Sequence, residues 1–116
     1  MTDTDCLFCR IASGDLEAQI VLENDRVVAF RDINPQAPTH VLIIPRKHVS
    51  TLNDLSADDV EDIGAMVLAA KEIAQADGVA DDGYRVTMNC NAHAGQSVFH
   101  VHLHLLGGRR MEWPPG

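Results

Sequence analysis

The chain has 116 residues, of which 46% are hydrophobic and 22% are charged, as in a globular protein with one modest core. Seventeen acidic and nine basic residues give a formal net charge of −8, which argues against a surface that binds nucleic acid. A pocket for a single mononucleotide is still compatible with this net charge. We predict a single domain over residues 1–116.

The first half of the chain predicts one short helix and three strands. The helix ends near Gly14, and the turn-forming pair Asn24-Asp25 joins the first two strands as a hairpin. Pro35 and Pro38 mark a turn, because proline fixes its own φ and favours an extended residue before it. The predicted segments are helix 6–12 and strands 19–23, 26–31 and 40–45.

A long helix over residues 56–77 is the clearest predicted element. Ser56 is a plausible N-cap, Asp59 three residues later resembles a capping box, and Gly78 is a natural terminator. The acidic residues of the first turns, Asp59 included, are interpreted as a solvated face. The predicted apolar stripe consists of Val60, Ile63, Val67, Ala70 and Ala74.

The last third of the chain predicts two more strands, over residues 84–90 and 98–106, joined by a loop of small residues over 91–96. Short strands around one long helix, with tight connections, are typical of an α+β fold. We therefore predict an antiparallel sheet of about five strands with one long helix and a short N-terminal helix.

Three histidines alternate along the final strand, at His100, His102 and His104. Successive side chains of a strand point to opposite faces, so the three imidazoles share one face, about 6.5 to 7 Å apart. Three imidazoles are an odd choice for core packing, because each carries two ring nitrogens that need partners. The row is therefore interpreted as functional, either as a metal site or as a nucleophile with its supporting groups.

The loop before the row favours the second interpretation. Gly95 lets a backbone approach a ligand, and the N–H groups of Gln96, Ser97 and Val98 could face phosphate oxygens. A phosphate held there would lie beside the histidines.

The run His100-Val101-His102-Leu103-His104-Leu105-Leu106 resembles the signature of the histidine triad superfamily. Three further segments are similar to its Hint branch, the nucleoside phosphoramidases. They are Pro35-Gln36-Ala37-Pro38-Thr39-His40, Gly95-Gln96-Ser97 and Trp113-Pro114-Pro115-Gly116. The resemblance covers nearly the whole chain, and it implies a homodimer whose sheets join and hydrolysis of purine nucleoside 5′-phosphoramidates such as AMP-amine conjugates.

The same resemblance implies roles for the residues of the row and the loop. The catalytic set implied by the resemblance is His100, His102, His104 and Ser97. His102 attacks the α-phosphorus and is transiently nucleotidylated, while His104 contacts the phosphate or the leaving group. Ser97 bonds the departing atom, and Asn89, Gln96 and the loop N–H groups hold non-bridging oxygens. No catalytic metal is expected.

The resemblance also outlines a nucleotide pocket. Asp32 would grip the ribose hydroxyls, since a carboxylate accepts two hydroxyl donors well, and His40 would have a supporting role. Trp113, in the C-terminal tail, would shape the leaving-group pocket of the partner subunit. The apolar walls around the base would be Phe8, Ile11, Phe30, Ile33 and Leu42. The loop residues around the phosphate would be Asn89, Gly95, Gln96, Ser97 and Val98.

Cys6 and Cys9 form a Cys-x-x-Cys pair. By resemblance to bacterial relatives, the pair binds a structural zinc ion together with His48 and His100, a donor set that suits a closed tetrahedral site. A redox-active pair and idle thiols are the alternatives, and the third cysteine, Cys90, is interpreted as a buried strand residue.

Three functional alternatives stay open at this stage: a dinucleoside polyphosphate hydrolase of the Fhit-like branch, a catalytic zinc site in the histidine row, and a nucleotide-binding module without turnover. The acidic N-terminus lacks the layout of a signal peptide, and no apolar run approaches the roughly 20 residues that span a bilayer. We therefore expect a cytoplasmic protein without a membrane partner.

Overall fold

A computed structural model describes residues 5–116 of the chain, so most of the acidic N-terminal run considered above lies outside the described residues. Within these residues, two α-helices and five strands make up the regular structure, together with three short 3₁₀ turns. In chain order they are α1 (Leu7–Ser13), β1 (Ile20–Glu23), β2 (Val27–Arg31), β3 (Thr39–Pro45), α2 (Val60–Ala76), β4 (Tyr84–Thr87) and β5 (Leu103–Gly107).

The five strands form one antiparallel sheet in the order β1-β2-β3-β5-β4, which confirms the predicted α+β fold. β1 and β2 form the predicted hairpin, and the side chain of Asn24 accepts the backbone N–H groups of Arg26 and Val27 in its turn. β3 lies at the centre of the sheet and is buried along its whole length, as its run of apolar residues predicts.

The two faces of the sheet carry separate apolar clusters. On one face, alternate strand residues such as Ala29 and Ile43 pack under α2. On the other face, residues such as Phe30 and Leu42 pack against Phe8 of α1. Because His104 lies opposite Leu42 in the pairing of β3 with β5, the histidines belong to the α1 face.

The face of α2 that meets the sheet differs from the predicted stripe. Ala70 and Ala74 are buried, but Val60 and Val67 are 66% and 49% exposed. The buried residues follow i, i+3, i+4, i+7 and i+8 from Met66: Met66, Ala69, Ala70, Ile73 and Ala74. The prediction was wrong for Val60 and Val67, because the true stripe is rotated toward small alanines that let the helix approach the sheet closely.

The start of α2 also corrects the interpretation of its acidic residues. Ser56 and Asp59 form the predicted capping box, but around a 3₁₀ turn that precedes α2. Asp59 is buried rather than solvated, and it accepts a hydrogen bond from Lys47 Nζ at 2.6 Å. The hydrogen bonds from Lys47 and the Ser56 backbone lower the pKa of Asp59.

The regular pairing of the last strand starts later than predicted. β5 begins at Leu103, so His100 and His102 lie in the segment that leads into it. The ladder with β3 ends at Ile43 and Leu103, because Pro45 has no N–H to donate, and the N–H of Val101 bonds instead to the carbonyl of Val49 at 2.8 Å.

β4 is likewise shorter than predicted, and Cys90 is only half-buried beyond its end. No helix in the described part of the chain is long and apolar enough to cross a bilayer. The expected cytoplasmic location stays a prediction.

Candidate active site

A cleft of about 700 Å³ opens on the α1 face of the sheet. That volume is typical of a site for a small ligand. The predicted nucleotide-binding residues that line it are Phe8, Ile11, Phe30, Asp32, Ile33, Leu42, Asn89, Gly95, Ser97, Val98, His102 and His104. The structure thus brings together all of that predicted set except Gln96.

Six further lining residues were missed: Leu7, Leu16, Glu17, Ala18, Gln19 and Arg31. Four of them belong to the connection between α1 and β1, which shows neither a motif nor a hydrophobic period. The guanidinium of Arg31 already forms an ion pair with Asp77 and is therefore not assigned to ligand binding.

The ring of His102 is fixed in one tautomer. Its Nδ1 lies 2.7 Å from the carbonyl oxygen of His100. A carbonyl only accepts hydrogen bonds, so in the neutral ring Nδ1 carries the proton and Nε2 has the lone pair. The ring is buried, lines the cleft, and meets the ring of Phe8 edge-on at 5.0 Å between centroids. The ring orientation therefore leaves Nε2 as the nitrogen of His102 that is not bonded to the backbone, on a side chain that lines the cleft.

A chain of hydrogen bonds orients His104. The backbone N–H of Gln36 donates to His40 Nδ1 at 3.0 Å, so the neutral ring of His40 carries its proton on Nε2. That Nε2–H donates to Nδ1 of His104, also at 3.0 Å, and lies 3.4 Å from an Asp32 carboxylate oxygen. The remaining nitrogen of His104, Nε2, is therefore a donor.

Burial, followed by the neighbouring His102 and His40, lowers the pKa of His104 to about 4. Burial also lowers the pKa of His40. Both rings are neutral at pH 7, so His104 can donate a hydrogen bond from Nε2 without carrying a charge.

Donor geometry disfavours a metal ion at the histidine row. Asp32, His40 and His104 lie close enough to be considered as ligands. However, a metal on Nε2 of His40 would force a proton onto Nδ1, against the N–H of Gln36. Within residues 5–116, His102 belongs to no group of three potential ligands. The alternative of a catalytic zinc in the row is therefore not supported.

The loop over residues 91–96 gives Gln96 a different role from the predicted one. Its side-chain oxygen accepts the N–H of Asn91, and its Nε2 donates to the carbonyls of Ser50 and Val98. Its own backbone N–H bonds to the carbonyl of Asn91. The prediction that Gln96 holds phosphate oxygens is corrected, because its polar groups already bond to Asn91, Ser50 and Val98. Gln96 instead holds the loop in place next to Ser97, which lines the cleft.

We expect Gln96→Ala to lower the free energy of unfolding by about 1–3 kcal/mol, because Asn91 N–H and the Ser50 carbonyl lose their partner. Urea denaturation checks the stability. Asn53→Ala, a substitution of an exposed amide outside the cleft, is the matched control. A Gln96 variant as stable as this control would contradict the assigned role.

The second cluster consists of Cys6, Cys9, His48 and His100, which we call the Cys/His cluster. Their ligand atoms all lie within 4.8 Å of one another. His100 Nδ1 is 3.4 Å from Cys6 Sγ and 3.5 Å from Cys9 Sγ, and His48 Nδ1 is 3.3 Å from Cys9 Sγ. A tetrahedral ion with ordinary zinc–sulfur and zinc–nitrogen bonds sets such atoms about 3.5 Å apart, so the four side chains fit a metal.

Outer hydrogen bonds prepare both imidazoles of the Cys/His cluster as ligands. His100 is fully buried, and its Nε2–H donates to the carbonyl of Pro45 at 2.8 Å, which leaves the Nδ1 lone pair facing the sulfurs. His48 Nε2 lies 3.3 Å from Ser50 Oγ. His100 thus stands behind the cleft and does not line it, in contrast to the catalytic role expected from the row.

The C-terminal tail leaves along the edge of the sheet. Arg85 of β4 donates to the carbonyl of Glu112 at 2.9 Å, and the next residue, Trp113, is 84% exposed. Trp113 is outside the cleft lining of its own chain.

The chain is similar to several known proteins. The HIT domain model matches residues 13–111. The purine nucleoside phosphoramidase of Escherichia coli K12 is 50% identical over 105 residues, which cover 90% of this chain and 88% of that protein. A 14 kDa zinc-binding protein of Zea mays is 43% identical over 118 residues, covering 100% and 91%. The crystal structure of a HIT family hydrolase from Legionella pneumophila superposes with a TM-score of 0.93 at 55% identity, covering 96% and 99%.

Proposed function

Because this chain belongs to the HIT domain family and is a hydrolase of that family, we propose that it cleaves the P–N bond of purine nucleoside 5′-phosphoramidates. The observation that carries the proposal is the fixed tautomer of His102, whose Nε2 lone pair is available at the cleft. The name of the Escherichia coli relative supports the choice of substrate.

The reaction has two displacements at phosphorus. His102 Nε2 bonds to the α-phosphorus and the P–N bond breaks, so the amine leaves with the bonding pair and takes up a proton. Water then bonds to the same phosphorus, displaces the imidazole and releases one proton, which balances the proton taken up by the amine. The net reaction converts a phosphoramidate and water into a nucleoside monophosphate and an amine.

The remaining polar residues of the cleft bind and orient the substrate. His104 Nε2–H and Asn89 donate to the phosphoryl oxygens, where charge develops in the transition state. Ser97 bonds the departing amine. Asp32 accepts the ribose hydroxyls, with one carboxylate oxygen already taken by the N–H of Asn34. The base lies between the apolar walls that include Phe8.

The Cys/His cluster holds zinc in this proposal. Two thiolates and two imidazoles suit that ion, and the zinc-binding relative from Zea mays supports the choice. Its role is structural, because four protein ligands close the coordination shell. When bound, it crosslinks α1 to His48 and to the segment that carries His100.

Phosphorus NMR of the purified protein with adenosine 5′-phosphoramidate tests the proposed activity. We expect AMP to appear with the phosphoramidate, and diadenosine polyphosphates in a parallel reaction to be cleaved more slowly. Faster cleavage of the dinucleotides would assign the protein to the Fhit-like branch, and AMP binding without any turnover would indicate a binding module.

We further propose that the protein is a homodimer joined through β4. This edge strand exposes apolar side chains, with Val86 at 42% and Tyr84 at 37%. An exposed apolar edge is a site for pairing with a second sheet. Arg85 holds the tail along the same strand, so Trp113 would extend toward the partner's cleft and contact its leaving group.

Val86→Lys is expected to convert the dimer into a monomer, because a charge on the joined edge is costly to bury. Sedimentation velocity should show the smaller species. Ile20→Lys makes the same change on the opposite edge strand, β1, and should leave the mass unchanged. A Val86→Lys variant that sediments with the unaltered protein would contradict the proposed interface.

A further inference from the structure

Helix α1 joins two sites. Its N-cap residue Cys6 and its residue Cys9 belong to the Cys/His cluster, while Phe8 and Ile11 are buried in the wall of the cleft. A helix of seven residues has little stability of its own, so contacts with the rest of the protein hold it in place. The contacts that fix Cys6 and Cys9 therefore also fix the cleft wall.

The wall residue Phe8 depends closely on this placement. Its ring meets Phe30 at 5.5 Å and the nucleophile His102 at 5.0 Å between centroids, in edge-on geometry. Since Cys6 and Cys9 flank Phe8 in the sequence, a small displacement of α1 moves this ring relative to both the base site and the nucleophile.

Two more connections lead from the Cys/His cluster to the cleft. The backbone carbonyl of His100 accepts the Nδ1–H of His102, so the residue that faces both sulfurs also sets the nucleophile's tautomer. On the other side, His48 Nε2 lies 3.3 Å from Ser50 Oγ, and the carbonyl of Ser50 accepts a hydrogen bond from Gln96 in the loop over residues 91–96. The helix, the nucleophile and the loop are thus all attached to the same four ligands.

We propose that the Cys/His cluster is a thiol-redox switch that controls nucleotide binding in the cleft. This inference rests on the proposed nucleotide hydrolase function. With both cysteines reduced and zinc bound, α1 is held against His102. When a peroxide oxidises the two cysteines, zinc leaves, α1 loosens and nucleotide affinity falls.

The oxidation is balanced. Two thiolates lose two electrons as their Sγ atoms form a disulfide bond, and the O–O bond of hydrogen peroxide takes up both electrons and breaks into two hydroxide ions. The Sγ atoms are neighbours within the cluster, and Cys9 N–H already contacts Cys6 Sγ at 3.4 Å. Only two imidazoles then remain as ligands. A dithiol reductant with zinc reverses the reaction.

The test measures AMP binding by calorimetry on the full chain with zinc loaded, before and after one equivalent of hydrogen peroxide. The Cys90→Ser background removes the third thiol, which has no place in the Cys/His cluster. A chromogenic indicator follows zinc, and circular dichroism follows the fold. We expect one zinc ion released per chain, an AMP dissociation constant raised at least about tenfold, retained secondary structure, and recovery with dithiothreitol and zinc.

Phe8→Ala tests the route through α1. This variant should bind AMP more weakly from the start, and oxidation should add little further loss, because the two changes act on the same contact. If oxidation raised the AMP dissociation constant of Phe8→Ala by the same factor as in the Cys90→Ser background, this route would be overturned.

Two other outcomes would overturn the switch: zinc release with unchanged AMP affinity, and global unfolding on oxidation. If the reduced, zinc-loaded protein binds no AMP, the proposed function itself fails, and this inference fails with it.

Discussion

Replacing His102 by asparagine is expected to lower kcat/KM for adenosine 5′-phosphoramidate by at least about 10³-fold, as loss of a nucleophile does in other enzymes. The side-chain N–H of asparagine can still donate to the His100 carbonyl, as Nδ1 does. The variant therefore keeps the local hydrogen bond and loses only Nε2, the proposed nucleophile. Single-turnover kinetics with the phosphoramidate measures the loss.

AMP affinity is the control for this variant. The cleft walls are unchanged by the substitution, so His102→Asn should bind AMP within a few-fold of the unaltered protein. If the variant kept its turnover within tenfold, another group would have to be the nucleophile. If it no longer bound AMP, His102 would be needed mainly for binding.

The stability of the protein is expected to fall by about 3 kcal/mol between pH 6.5 and pH 4 because of His104 alone. Its pKa drops from 6.5 to about 4 on folding. In this interval the unfolded chain binds a proton at His104 that the folded protein does not, so acid favours the unfolded state. Above pH 6.5 the ring of His104 is neutral in both states and the stability does not depend on it. Below pH 6.5 the stability decreases progressively as the unfolded chain takes up the proton.

Urea denaturation from pH 7.5 to pH 4.5 tests this window against His104→Asn, which cannot titrate. We expect the stability of the variant to decline less steeply as the pH falls. The carboxyl of Asp77 affects the stability only at lower pH, because the hydrogen bond from Arg31 lowers its pKa below 3.8. His93→Asn, a matched change at an exposed histidine, should follow the unaltered protein. Parallel curves for His104→Asn and the unaltered protein would contradict the assignment.

Much of the site could be predicted before any coordinates. Alternation of side chains placed His102 and His104 on one face of the chain, and the family resemblance added Ser97 and Asp32 to the same site. Twelve of the thirteen residues predicted to bind the nucleotide line the observed cleft. The Cys-x-x-Cys spacing likewise pointed to the Cys/His cluster, which the fold assembles from segments far apart in sequence.

The errors have a common physical cause. The stripe of α2 was assigned from helical spacing, but spacing alone does not say which of two adjacent apolar stripes meets the sheet, so Val67 was placed in the core although it is exposed. Gln96 was assigned to phosphate from its position in a motif. Its hydrogen bonds to Asn91 and Ser50 exist only in the folded loop.

The sequence by itself determined the element types, the shared face of the histidines and the residue types that suit nucleophilic attack and zinc, because these follow from local period and chemistry. Only the tertiary structure decided the ring tautomers. Each is set by a partner brought in from elsewhere in the chain or by a backbone carbonyl: Gln36 N–H for His40, the Pro45 carbonyl for His100, and the His100 carbonyl for His102. The sequence contains the donors and acceptors, but only the fold decides which of them meet, and it places His100 in the Cys/His cluster and His102 in the wall of the cleft.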